Sequence, residues 1–255
     1  MTKKNWTREE HIVAFNLYCK TPFNKINSSN PAIKETAGLI GRSVGSVAMK
    51  LANFARLDPA LQARNISGLT QGAKGEEEVW KEFHGNWDEL AWSSEEILAK
   101  YKGASIESSI DRELNFKQIL ETEKDISVKA RVNQGFFRKM ILASYNSTCC
   151  ITNIDIPELL IASHIIPWSV DSKNRVNPAN GLCLNSLHDK AFDRGFISIS
   201  PEYKVLVSKE LKRTQNRASI NSFLKYEGQV INLPKKFLPS SEFLNWHNRN
   251  VFKNN

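Results

Sequence analysis

With 255 residues, 41% of them hydrophobic and 9% aromatic, the chain can build two cored domains and falls outside the disordered class. No run approaches the roughly 18 apolar residues of a membrane span, and the opening MTKKNWTREEH lacks an apolar signal core, so a cytoplasmic protein without membrane contact is expected. The net charge of +8 is uneven: residues 1–74 carry 11 Lys/Arg against 4 Asp/Glu, residues 75–130 carry 7 against 14, and residues 131–255 carry 17 against 9. Two basic blocks flank an acidic one, and basic blocks attract phosphate backbones through counterion release.

Residues 1–74 read as a small basic helical domain. Thr7 and Glu10 stand at capping-box spacing, and Ile12, Val13, Phe15, Leu17 and Tyr18 supply an apolar face. Thr21-Pro22 ends that helix. A second helix is expected over 32–40, a break at Gly41-Arg42, and a third helix capped by Ser43, with Val44, Val47, Leu51 and Phe54 inward. Helix, short glycine turn, helix is the helix-turn-helix plan. The third helix is expected to expose Arg42, Ser46, Lys50, Asn53 and Arg56, side chains able to reach phosphates and base edges. A trihelical bundle that contacts protein is the alternative.

Ser67 to Gly75, with three glycines, reads as a linker. The acidic block 75–130 is expected to be a helical connector, with helices over 76–84, 93–101 and 112–122. Trp80, Phe83, Trp87, Leu90 and Trp92 are too many large apolar groups for a disordered spacer. Its acidity could keep it off DNA or dock it on a basic domain. A helix over 134–145 leads into the C-terminal domain, 131–255.

That domain carries the chemistry, in CCITNIDIPELLIASHIIPWSVDSKNRVNPANGLCLNSLHDKAFDRGFISIS, residues 149–200. His164 follows an apolar run, Asn180 opens an Asn-Gly turn, and His188 begins a helical stretch. Phosphodiester hydrolysis needs a water deprotonated for in-line attack and a cation on the scissile phosphate. Imidazole is the natural base near neutral pH, and an amide can orient it without adding charge. Taken singly, each of the three has a structural explanation: a packed strand histidine, a turn asparagine, a surface histidine. Four cysteines without two CxxC pairs argue against a structural zinc. Further on, a hairpin is expected across Pro201-Glu202, then a basic cluster of Lys209, Lys212, Arg213 and Arg217. A short strand over 229–232 and a closing helix over 245–252 with Trp246 inward complete the domain.

The motif pieces Phe136-Phe137-Arg138, Cys150-Ile151-Thr152, Ala162-Ser163-His164-Ile165, Pro167-Trp168, Asn180-Gly181-Leu182 and His188 with Phe192-Asp193-Arg194-Gly195 resemble the HNH endonuclease superfamily, in its bacterial restriction and phage-defence branch. The resemblance covers about half the chain, 131–253. It implies an α+β chain ending in a ββα-metal nuclease domain, with His164 as general base, Asn180 orienting it and His188 on the metal. It also implies one divalent ion, Mg²⁺ with Mn²⁺ or Ni²⁺ as substitutes. Many relatives carry an Asp or His ligand just before the base. Here Ser163 stands there, so its hydroxyl, a water, or a carboxylate of Asp193 or Asp189 takes the place. Asp193 is equally suited to closing its helix before Gly195. The expected activity is cleavage of double-stranded DNA in defence against foreign DNA, held in part by Arg42, Lys50, Asn53, Arg56, Lys209, Lys212 and Arg213. Cutting both strands with one site each suggests a homodimer. The alternatives are a DNA-binding regulator with a decayed nuclease fold, and a repair or homing nuclease.

Overall fold

The computed structural model describes residues 5–65, 72–106 and 128–254. The expected helix over 112–122 and most of the expected linker over 67–75 lie outside these. The chain is α+β and divides into two compact units at residues 139 and 140.

In the first unit, α1 (Arg8–Lys20) starts where the sequence places it. Thr7 Oγ1 accepts from the Glu10 N–H at 3.2 Å, and the Thr7 N–H donates back to Glu10 Oε2 at 2.7 Å. Asn30 and Ser43 cap α2 (Pro31–Leu39) and α3 (Val44–Ala55) by the same logic. Asp58 caps the short α4 (Pro59–Gln62), and its other oxygen accepts the buried Tyr18 hydroxyl at 2.7 Å. Then come α5 (Lys74–Phe83) and α6 (Trp87–Lys102), the latter closed by Gly103 at φ +62°.

Helix α1 is buried almost throughout because α3, α5 and α6 all pack against it. Residues 75–102, expected within a connector, therefore share the core of the first helices. The aromatic residues explain this: Phe15 lies 5.0 Å from Trp80 and 6.2 Å from Trp87, ring centre to ring centre. Burying rings of this size outweighs keeping the segment solvated.

Helix α7 (Val128–Ser144) runs across the division at 139 and 140. In the second unit, β1 (Leu160–His164) pairs antiparallel with β2 (Gly181–Asn185), with Ser163 opposite Leu182 and His164 opposite Gly181. Helix α8 (Ser186–Asp193) follows directly. The expected second hairpin is present as β3 (Ile197–Ile199) and β4 (Val205–Val207), and the expected strand over 229–232 is reduced to a single bridge from Val230 to Lys204. Two short helices, α9 (Lys209–Lys212) and α10 (Arg217–Ser222), precede the closing α11 (Ser241–Asn250).

Two devices fix α8. Its C-terminus is a Schellman turn: the Phe196 N–H donates to Ala191 O at 2.8 Å and the Gly195 N–H to Phe192 O at 2.9 Å. Gly195 sits at φ +70°, and a Cβ there would come within 2.0 Å of Val251 O, so only glycine lets the C-terminal segment return along this turn. On the inner side Phe192 stacks on His247 with ring centres 3.8 Å apart. It is Leu244 and His247 of α11 that are buried; Trp246, expected inward, is only partly covered.

Candidate active site

The loop between β1 and β2 is built by side-chain amides. Asp171 Oδ1 accepts the N–H groups of Lys173 and Asn174, and its Oδ2 accepts Asn174 Nδ2 at 2.7 Å. These bonds favour the charged carboxylate and lower the Asp171 pKa, the Asn174 side chain most of all. Asn174 Oδ1 in turn accepts from Asn177 Nδ2 at 2.8 Å.

Asn180, 1% exposed, closes the loop. Its Oδ1 accepts the Ile166 N–H at 2.8 Å, and its Nδ2 donates to the carbonyls of Ile166 (3.1 Å) and Asn174 (3.2 Å). A buried amide with donors and acceptor all engaged holds two strand ends and a loop in one geometry.

His164 ends β1. Its Nε2–H donates to the Arg175 carbonyl at 2.8 Å, which leaves Nδ1 as the nitrogen with the lone pair. Trp168 meets the ring edge-on at 5.6 Å, while Arg175 lies over Trp168 and donates to its carbonyl. Burial lowers the His164 pKa, with the Arg175 carbonyl opposing, so the ring is neutral near pH 7 and basic at Nδ1. The orienting group is thus the Arg175 carbonyl. Asn180 acts one step back, by shaping the loop that carries it. The sequence could not show this, since a backbone acceptor has no residue signature.

On α8, His188 and Asp189 leave the helix on different faces. His188 is 3% exposed and shares the core-facing row with Phe192, four residues on and fully buried. Its Nδ1–H donates to Asn185 Oδ1 at 3.1 Å, the oxygen that also caps the N–H groups of Leu187 and His188. Phe223 and Tyr226 cover the ring at 5.2 and 5.7 Å. Burial lowers its pKa. The Ser222 backbone raises its proton affinity in turn, yet among the described residues no group reaches hydrogen-bond geometry at Nε2.

Asp189 and Asp193 form the next row, Asp189 half-buried and Asp193 exposed. Burial first, and then the Asp193 charge, push the Asp189 carboxyl up to about 6; the Ser163 hydroxyl and Lys190 oppose. Partial desolvation raises Asp193 as well, against Lys190 and Arg194. Ser163 is 2% exposed, and its Oγ lies near enough to Asp189 to favour the carboxylate without completing a hydrogen bond. Ser163 of β1 therefore meets Asp189 of α8, with Asp193 next along the same row of the helix.

Residues 149–200 match the family model described as HNH endonuclease. The chain carries an HNH segment. No curated protein matches the chain. The HNH family acts on nucleic acid and uses a divalent metal, and the residues present fit one. A buried Ser163 hydroxyl without a hydrogen-bond partner among the described residues, and two carboxylates that burial disfavours in their charged form, are donors that a cation would satisfy. Among the described residues no three His, Cys, Asp or Glu side chains converge on one point.

The expected DNA-contacting residues divide sharply. Lys209, Lys212, Arg213 and Arg217 are exposed on α9 and α10, with Lys212 paired to Glu227. Those of the first unit are not exposed as expected. Arg42 grips Glu10 through Nε (2.9 Å) and a terminal nitrogen (2.7 Å). Lys50 is buried in an ion pair with Glu76, Asn53 Nδ2 donates to the same carboxylate at 2.8 Å, and Arg56 pairs with Glu77 at 2.9 Å. Segment-by-segment charge counting misses this because Glu76 and Glu77 arrive on α5, from the acidic block.

Proposed function

We propose that this chain is a metal-dependent DNA endonuclease of the restriction and defence type, with His164 as general base. The observation that carries the reading is the His164 imidazole fixed through Nε2 on the Arg175 carbonyl, at the end of the strand whose Ser163 meets Asp189 of α8. Nδ1 of His164 takes the proton of the attacking water. The new oxygen–phosphorus bond then forms opposite the bond to the leaving oxygen, which breaks. Asn180 and Arg175 keep the ring from turning. Ser163, Asp189 and Asp193 would hold the cation, which when bound would polarise the phosphate and stabilise the leaving oxygen.

Exposed Lys209, Arg213 and Arg217 suit the phosphate backbone of double-stranded DNA. The helix-turn-helix reading of α1–α3 keeps its order of elements, but the exposed positions of α3 include Gly45 and Met49 rather than cations. Its contribution to holding DNA is accordingly small. A single site severs one strand per visit, so a double-strand break calls for two copies.

Nicking of supercoiled plasmid with Mg²⁺ or Mn²⁺, with and without EDTA, tests the reading. Wild type should nick only with metal. His164→Ala should lose cleavage while its circular dichroism stays unchanged. Cleavage by His164→Ala at near wild-type rate would remove His164 as the base, and no metal-dependent cleavage by wild type would leave a DNA-binding protein.

A further inference from the structure

Resting on that reading, we propose that His188 is a positioning residue for the carboxylate pair and not a ligand of the metal. Its ring locks the Asn185 cap, and so fixes the rotation at which Asp189 and Asp193 leave α8. Asn185 is the hub of this lock. Its Oδ1 takes three bonds, from the Leu187 and His188 N–H groups and from His188 Nδ1–H, at 3.0 to 3.1 Å. Its Nδ2 donates to Thr152 Oγ1 at 3.0 Å, and its backbone N–H to Cys149 Sγ at 3.3 Å. The first turn of α8 is thereby tied to the segment before β1.

A ligand role for His188 conflicts with its surroundings. Nε2 is the nitrogen left for a metal, and it is enclosed by Phe223, Tyr226 and the Ser222 backbone at 3% exposure. A catalytic cation needs positions open to water and phosphate. Consecutive helical residues diverge by about 100°, so the row of His188 and Phe192 faces the core while the row of Asp189 and Asp193 faces out. A group that orients a ligand without touching the ion typically changes metal affinity about 10- to 100-fold when removed.

The test uses the full chain with Mn²⁺. Titration followed by electron paramagnetic resonance gives the affinity, and pulsed measurement detects a nitrogen nucleus bound to the ion. Wild type is expected to bind Mn²⁺ without an imidazole nitrogen coupling. His188→Ala should weaken binding about tenfold. His188→Gln, whose amide N–H can still reach Asn185 Oδ1, should recover most of that loss. Asp189→Asn should weaken binding further than either. A nitrogen coupling in wild type that vanishes in His188→Gln would overturn the inference and leave the nuclease reading standing. So would unchanged affinity in His188→Ala. Failure of wild type to bind Mn²⁺ at all would overturn the metal-dependent reading itself, and this inference with it.

Discussion

Acidification from pH 7.5 to 5 is expected to weaken the second unit through His247. The ring is 1% exposed. Its Nε2–H donates to the Phe192 carbonyl at 3.2 Å, and the Ser198 hydroxyl sits 2.7 Å from Nδ1. Burial holds its pKa at about 4, with the Phe192 carbonyl only partly opposing. An unfolded histidine titrates near 6.5. Above that value both states are neutral and the contribution is whole. Below it the unfolded chain takes a proton that the folded chain refuses, and stability falls until the folded ring protonates near 4.

The full shift corresponds to about 3 kcal/mol, of which about 2 kcal/mol is gone by pH 5. Because the ring is buried, solvent screening takes little from this. Hydrogen exchange of peptides across α8 and β3 reads the second unit alone, at a series of pH values, in wild type and in His247→Phe. The variant keeps a ring against Phe192 and has no proton to gain, so its protection should lack the acid loss. Imidazole resonances would report the titration directly. A His247 signal titrating near 6.5, or equal acid loss in both proteins, would refute the reasoning.

Three further outcomes follow from named contacts. Glu76→Ala should cost the first unit about 3–5 kcal/mol, because it leaves Lys50 buried without its counter-charge; urea unfolding checks this, and a loss under about 1 kcal/mol would deny the pair its role. Asn180→Ala should destabilise the β1–β2 loop by about 1–3 kcal/mol and slow plasmid nicking while Mn²⁺ affinity holds, whereas unimpaired nicking would show that the loop does not need the amide. Lys209→Ala with Arg213→Ala should flatten the log–log salt dependence of DNA affinity by about 1.8, near 0.9 per lost phosphate contact; an unchanged slope would move the DNA surface elsewhere.

The parts of the site that the sequence made legible are those governed by local chemistry. Thr7 with Glu10, Asn30 and Ser43 mark helix starts because a cap bonds within three residues. The hairpin of β3 and β4 and the order of His164, Asn180 and α8 were legible for the same reason. What was not legible is what a side chain meets across the fold. Lys50 and Glu76 lie 26 residues apart, and nothing in the helical period of α3 indicates that the polar face will be covered by α5. That His188 and Asp189 leave α8 on different faces is a single step of helix rotation, which the sequence order of His188, Asp189 and Asp193 does not display.

The charge distribution changes meaning on the same account. Read along the chain, the N-terminal +7 looks like a nucleic-acid surface and the following −7 like a spacer. In the fold, Arg42, Lys50 and Arg56 spend their donors on Glu10, Glu76 and Glu77, so basic and acidic blocks largely neutralise each other inside one unit. The excess of positive charge then belongs to residues 131–255, where 17 Lys/Arg face only 9 Asp/Glu and the cations of α9 and α10 stay in solvent. Counterion release rewards only cations that can still reach phosphate. On the proposed function, the unit that carries His164 and the carboxylate pair would also be the one whose field draws a polyanion, joining binding and chemistry in a single unit.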